Sequence, residues 1–445
     1  MIHIFGGTSR RRAVTLTAVV ASAGLVLTVS GCASGGDAAG DASSIRVQVE
    51  TSKLPGLQAV VDLFEKANPD KKVNLETITS DQKATTNSLT LAAADAPDLG
   101  VAPINANSYQ QLLEGDALLP LDDVWEAANL NELYSPDVVS TLTTADGKPY
   151  SALFESTIYN TVYYNADLFD ELGITPPTDH AVQSDDELFA IADKLKAGGH
   201  DALCIGGSSN YQLGWLLDGQ LAALATPDEL AAFNSAATEE GVDFTSKPFV
   251  DSLQQIQDWY DDGLFQAGVL GQNFDTALAN FSASTCGMIL GGATTTTALE
   301  ANAVDYSYDW FTLPSANGAT LPTRYAGSTF VIPKTAKNPE LAKEFLEFFY
   351  TPEASLAYVG ANGSLPAING LPEDKLQEVL PPIVNSILAA IDADGAGTGW
   401  TSVVPGALGQ GFIDPEIQKQ LNGQQTPAQT AENQQKNYEA FLSSK

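Results

Sequence analysis

Tyr325-Ala-Gly-Ser-Thr-Phe-Val-Ile-Pro-Lys334, then Asn338-Pro-Glu-Leu-Ala-Lys-Glu-Phe-Leu346, Thr351-Pro-Glu-Ala354 and Asn362-Gly-Ser-Leu-Pro-Ala367 follow one another within 43 residues. The first segment is a glycine-started apolar strand closed by proline. Asn338 and Thr351 are N-cap residue types, each followed by proline at N1, where the missing N–H costs nothing. An acid one place further on suits the positive end of each helix dipole. Leu341, Ala342, Phe345, Phe348 and Phe349 fall on one helical face, with Lys343, Glu344 and Glu347 on the other. The stretch therefore predicts a strand followed by two capped helices.

The chain before it alternates strand and helix. Ile45–Glu50 has period two, Leu57, Val60, Val61 and Phe64 have helical spacing, Pro69 stops that helix, and Val73–Ile78 is a second strand. This is a βαβ unit, which implies a parallel sheet with helices on its faces. A helix through Leu89, Leu91 and Ala94 leads to a turn and third strand at Ala96-Pro-Asp-Leu-Gly-Val101, and Asp146-Gly147 signals a hairpin before the strand Tyr150–Leu153. Glu187–Leu195, Leu380–Ile391 and Pro427–Phe441 read as further helices.

Arg10, Arg11 and Arg12 precede a 17-residue apolar run, Ala13–Val29, and Val29-Ser-Gly-Cys32 fits a lipobox. Residues 1–31 then form a lipoprotein signal peptide, lipid is attached at Cys32, and 32–44 is a small polar tether. A retained anchor is the alternative, although a spanning helix needs roughly 20 residues. The expected location is the outer face of the cell membrane. The chain carries 21 basic against 55 acidic residues, net −34, with three of the basic ones in the signal, so nucleic acid is repelled.

Taken in order, the segments resemble bacterial extracellular solute-binding proteins of the sugar-binding class, relatives of maltose-binding protein. The resemblance rests on Gly327-Ser328 before Ile332-Pro333, Ala342-x-x-Phe345-Leu346, and Gly363-x-Leu365-Pro366-Ala367. It also rests on Tyr163-Tyr164-Asn165-x-x-Leu168-Phe169 followed by Gly173 and Pro176-Pro177-Thr178. Two departures stand out: Ser151-Ala152-Leu153 lacks the usual proline, and Asp179-His180 replaces the usual tryptophan.

The resemblance implies a periplasmic-binding-protein-like α/β fold, with two lobes, each a central mostly parallel sheet flanked by helices, and a hinge between. Lobe 1 is expected to comprise 45–154 plus 310–360, with Asp309-Trp310-Phe311 returning the chain to it, and lobe 2 to comprise 155–309 plus 361–445. In that fold the strands carrying Cys204 and Cys286 lie side by side, which implies a disulfide between them; two buried thiols are the alternative. The same resemblance implies a monomer that binds a neutral carbohydrate and serves permease subunits driven by a cytoplasmic ATPase.

Candidate ligand contacts follow from residue chemistry at strand ends. Glu50, Asn105, Asn107 and Glu155 offer carboxylate and amide groups for sugar hydroxyls. Tyr159, Tyr211 and Trp215 offer rings for the apolar C–H faces of a sugar. The resemblance implies that Gly292 and Thr294 belong to a glycine- and threonine-rich mouth and that Trp400 is the late aromatic over the ligand, while Tyr325 and Ser328 open the stretch quoted first. Each has a bland counterpart in turn, hinge or core packing.

Catalytic signatures are scarce. His180 and His200 are the histidines beyond the signal, no Gly-x-Ser-x-Gly or His-Glu-x-x-His occurs, and Gly147-Lys148 lacks the glycine of a P-loop. No enzyme activity, metal or cofactor is expected. A secreted glycoside-active enzyme remains the alternative from another class, because any acid-rich chain contains carboxylate pairs. A binding protein for a peptide or other non-sugar solute is the nearer one.

Overall fold

The structure is a computed structural model that describes residues 43–79, 82–83, 86–104, 107–134, 136–144, 146–209, 211–237 and 240–443. The signal, Cys32 and Asn105 lie outside them. No helix among the described residues is long and apolar enough to cross a membrane.

The predicted βαβ unit opens the fold. β1 (Ser44–Glu50) and β2 (Lys72–Ile78) pair in parallel, with Val47 opposite Leu75, and α1 (Leu54–Ala67) buries Leu57, Val60, Val61 and Phe64 against them. A parallel bridge from Val47 to Leu99 joins β1 to β3 (Gly100–Ala102), after which α2 (Asn107–Glu114) begins. β4 (Ala152–Leu153) completes this first lobe with a strand that arrives much later in the chain.

β5 (Glu155–Asn165) runs from the junction between the lobes into the second. β6 (Asp201–Cys204) lies parallel to β7 (Cys286–Gly292), which pairs antiparallel with β5, while α3 (Gln212–Leu224) packs on this sheet. Cys204 and Cys286 are disulfide-bonded, with Cα atoms 5.9 Å apart. β8 (Tyr308–Phe311) and, past the short hairpin β9 (Pro314–Ser315) and β10 (Gly318–Ala319), β11 (Thr323–Ala326) also lie along β5. β12 (Thr329–Val331) then inserts between β3 and β4, placing Phe330 opposite both Val101 and Ala152.

The expected return to lobe 1 at residue 310 is therefore corrected. Trp310 sits opposite Tyr163 on β5, and the crossing comes at Gly327-Ser328, between β11 and β12. The physical reason is that the two buried residues of β8 point to opposite sides: Trp310 packs into the core cluster shared with lobe 1, and Phe311 into the core cluster of lobe 2. Parallel cores, β1 to β3 and β6 to β7, are thus edged by antiparallel hinge strands.

In the stretch quoted first, α4 (Pro339–Phe349) buries Leu341, Ala342, Phe345, Leu346 and Phe349, and α5 (Pro352–Asn362) packs on α1. The Thr351 side chain caps the Ala354 N–H as its type predicts; Asn338 does not cap α4 but donates its Nδ2 to the Ser44 carbonyl at 3.3 Å. Gly363 then turns with φ +64°, and β13 (Leu365–Pro366) pairs with β5. β14 (Gly397–Thr398) pairs with β11, and α6 (Trp400–Val403) and α7 (Gln410–Leu421) close lobe 2.

Candidate functional site

Three segments cross between the lobes side by side, because β5 carries β11 and β13 as antiparallel partners at its first residues: Ala326 and Leu365 both lie opposite Ser156. Gly327 is required there, since a Cβ would lie 2.7 Å from the Glu155 carbonyl oxygen. Few backbone torsions at such a junction must change for the lobes to rotate.

Beside the crossing is a buried ionic cluster. Lys53 Nζ lies 2.9 Å from Glu155 Oε1, while Tyr358 OH donates to Glu155 Oε2 at 2.9 Å and Asn362 Nδ2 at 3.3 Å. Lys83 pairs with Glu50 and donates to Ser328 Oγ at 3.1 Å. Burial, the largest single effect, would lower the pKa of the Lys83 ammonium, yet Glu50, Tyr325 and Glu155 together outweigh it and hold the pKa above the usual lysine value. Glu155 and Glu50 are 2 % and 6 % exposed, so their oxygens serve lysines and the hinge. The expectation that Glu155 presents a bidentate face to a ligand is corrected accordingly.

A ladder of rings stands on the lobe 2 side. Tyr211 and Trp215 lie one turn apart at the start of α3, ring centroids 5.0 Å apart. Trp215 stacks on Tyr159 of β5 at 4.9 Å and 26°, and Tyr159 meets the edge of Tyr325 at 5.9 Å. Tyr211, Trp215 and Tyr325 are half-buried, whereas Tyr159 is fully buried and supports them from beneath. The Tyr159 hydroxyl donates to Asp218 Oδ2 at 2.8 Å and lies 2.7 Å from Ser402 Oγ. Burial, together with the Asp218 carboxyl, raises its pKa well above that of a free tyrosine.

Ser402 leads from this ladder into a cavity of about 570 Å³ with walls from both lobes. Ile104, Tyr109, Asp146 and Tyr150 line one side; Val403 and Pro405 line the other. That volume lies within the range of ligand pockets.

The remaining candidates fall differently. Trp400 is corrected: it is fully buried in the lobe 2 core against Phe244 and Phe249, because the short helix it begins turns its apolar face inward. Gly292 is also fully buried; a Cβ there would overlap the Ile158 carbonyl, so its lack of a side chain serves strand packing. Thr294 is half-buried ahead of a helix, Ser328 accepts from Lys83, and Asn107 opens α2. Lys53, Lys83, Asp218, Tyr358, Asn362 and Ser402 are site neighbours that sequence reasoning missed. Asp218 had a usable signal, as the one charged residue in Gln212-Leu-Gly-Trp-Leu-Leu-Asp-Gly-Gln-Leu-Ala-Ala-Leu224.

Comparison with known proteins agrees with this architecture. The family model of bacterial extracellular solute-binding proteins matches residues 49–355. A multiple sugar-binding protein of Streptococcus mutans is 21% identical over 332 residues, covering 73% of this chain and 75% of its own. Among solved structures, a chitin oligosaccharide binding protein superposes with TM-score 0.72 at 22% identity, over 90% of this chain and 99% of its own. The bacterial solute receptor AcbH, described as having an exclusive preference for β-D-galactopyranose, superposes with TM-score 0.73 at 18% identity, over 90% and 98%. With more than half of its length matched by the family model and the two-lobe fold in place, the chain belongs to the bacterial extracellular solute-binding proteins.

Proposed function

We propose that this protein captures a neutral carbohydrate, an oligosaccharide, in the interlobe cleft and delivers it to the permease of an ATP-driven importer. It acts as a monomer held at the outer face of the cell membrane by lipid on Cys32. The observation that carries the reading is the ring ladder Tyr211–Trp215–Tyr159–Tyr325 beside a cavity with walls from both lobes. Sugar C–H faces pack on such rings while hydroxyls hydrogen-bond around them. The ion pairs Lys53–Glu155 and Lys83–Glu50 neutralise the charges gathered at the crossing, which favours an uncharged ligand. The sugar-binding relatives support the same class.

The mechanism is a population shift. Contacts from a bound sugar to both lobes favour the closed arrangement, and the permease reads closure. No bond is made or broken, so the protein is not an enzyme. A glycan panel screened by thermal shift tests the reading. A saturable rise in melting temperature with the glycan recovered intact supports it, and release of shorter sugars would sink it.

A further inference from the structure

Asp218 lies fully buried on an otherwise uncharged helix, yet no lysine, arginine or histidine bonds to it among the described residues. Burying a carboxyl without a cation is costly, and a leucine would suit the surrounding core better. What holds it is a set of donors from two separate parts of the chain. Its Oδ1 accepts the Thr401 N–H at 2.9 Å; its Oδ2 accepts the Thr401 hydroxyl at 2.5 Å and the Tyr159 hydroxyl at 2.8 Å. Gly399 lets the chain wrap this close, since a Cβ there would overlap the Tyr159 hydroxyl and lie 2.9 Å from both Asp218 Oδ2 and Ser402 Oγ.

These partners converge on the cleft. Tyr159 is the ring on which Trp215 stacks, and Trp215 stands one turn before Asp218 on the same helix. Thr401 and Ser402 lead directly into Val403, Val404 and Pro405, which form the lobe 2 wall of the cavity. A second buried carboxyl, Asp414, lies close by: its Oδ1 accepts the Gly214 N–H at 3.0 Å and its Oδ2 has no hydrogen-bond partner among the described residues. It meets α3 one turn before Asp218 and beside Thr401, since a Cβ at Gly214 would lie 2.7 Å from Asp414 Oδ2 and 3.3 Å from Thr401 Cγ2.

We propose that Asp218, which does not meet the ligand, is the positioning residue for the lobe 2 half of the site, fixing the Tyr159–Trp215 platform and the 399–405 wall relative to each other. Its consequence for a sugar rests on the carbohydrate reading above; its effect on the wall does not. Without this carboxyl, Thr401 and Tyr159 lose their common acceptor and the wall is free to move away from the rings.

Amide hydrogen exchange of the full chain without any sugar is the test, read at residues 399–405 and, for reference, in β1 and β2. Asp218→Ala is expected to speed exchange at 399–405 at least tenfold with the reference strands unchanged. Asp218→Asn, which keeps an acceptor for Thr401, should stay within about threefold of wild type. Ile417→Ala, a cavity in the same lobe core, should lower the melting temperature yet leave 399–405 at wild-type rates. Should Asp218→Ala not fold, Tyr159→Phe removes one donor from the same carboxyl and is expected to speed 399–405 about threefold. Unchanged exchange at 399–405 in Asp218→Ala and Tyr159→Phe, or equal acceleration by Ile417→Ala, overturns the proposal. A wild type that binds no glycan would defeat the carbohydrate reading and leave this result standing.

Discussion

Asp218→Asn removes a titration from the lobe 2 core while keeping the shape of the side chain. Burial raises the Asp218 pKa from 3.8 to about 7, against the opposing hydrogen bonds from Thr401 and Tyr159. A shift of roughly three pH units corresponds to about 4 kcal/mol. The folded pKa lies above the unfolded one, so this stabilisation is present in full below about pH 4. It is lost progressively as pH rises towards about 7, because the unfolded chain has already given up its proton there. Asparagine does not titrate. The wild type should therefore lose stability relative to Asp218→Asn by up to about 1.4 kcal/mol per pH unit in that window, or roughly 2 kcal/mol between pH 5 and 7, and the difference should level off by pH 8. Urea unfolding of both proteins at pH 5, 6, 7 and 8 measures it; carboxylates away from the site cancel in the difference, while Asp414, whose raised pKa is due first to burial and in part to Asp218, is held constant by making both proteins also in an Asp414→Asn background. Parallel stability curves across that range would refute the argument that burial dominates this site.

The hinge and the disulfide yield two further predictions. Glu155→Ala leaves Lys53 buried without its carboxylate and should cost about 3–5 kcal/mol by urea unfolding; Lys53→Met combined with Glu155→Leu should recover most of it, and equal losses in the single and double variants would contradict a buried ion pair. Replacing Cys204 and Cys286 together by serine opens a loop with a sequence separation of 82 and should cost about 4 kcal/mol in the chain-entropy model, while alkylation of either thiol in the unreduced native protein would disprove the bridge.

Much of the scaffold was legible because local chemistry and global fold agree. The period-two run at Ile45–Glu50, the helical spacing from Leu57 to Phe64 and the Thr351 cap all specify what the structure contains. Strand pairing at the lobe junction was not legible in the same way. Trp310 looks alike whether its strand joins lobe 1 or lobe 2, and only the β5 partner opposite it, Tyr163, decides. The site divides along the same line. Tyr211 and Trp215 share a helix and could be paired by spacing, whereas Tyr159, Tyr325 and Asp218 come from three elements brought together by the fold. Glu155 and Trp400 show the limit of residue type as a guide. A carboxylate near a crossing and an aromatic in a late loop read alike whether they meet a ligand, a lysine or a phenylalanine cluster.

Calorimetric titration of the best glycan from the panel into the wild type and Trp215→Ala bears most directly on the claim that a sugar is held on the ring ladder between the lobes. The account predicts saturable one-to-one binding by the wild type, with the glycan unchanged afterwards. Loss of the indole face should weaken it about tenfold, the scale of one stacked ring at about 0.5–1.5 kcal/mol beyond the area it buries. Equal affinity in the two proteins, or conversion of the glycan during the titration, would contradict it.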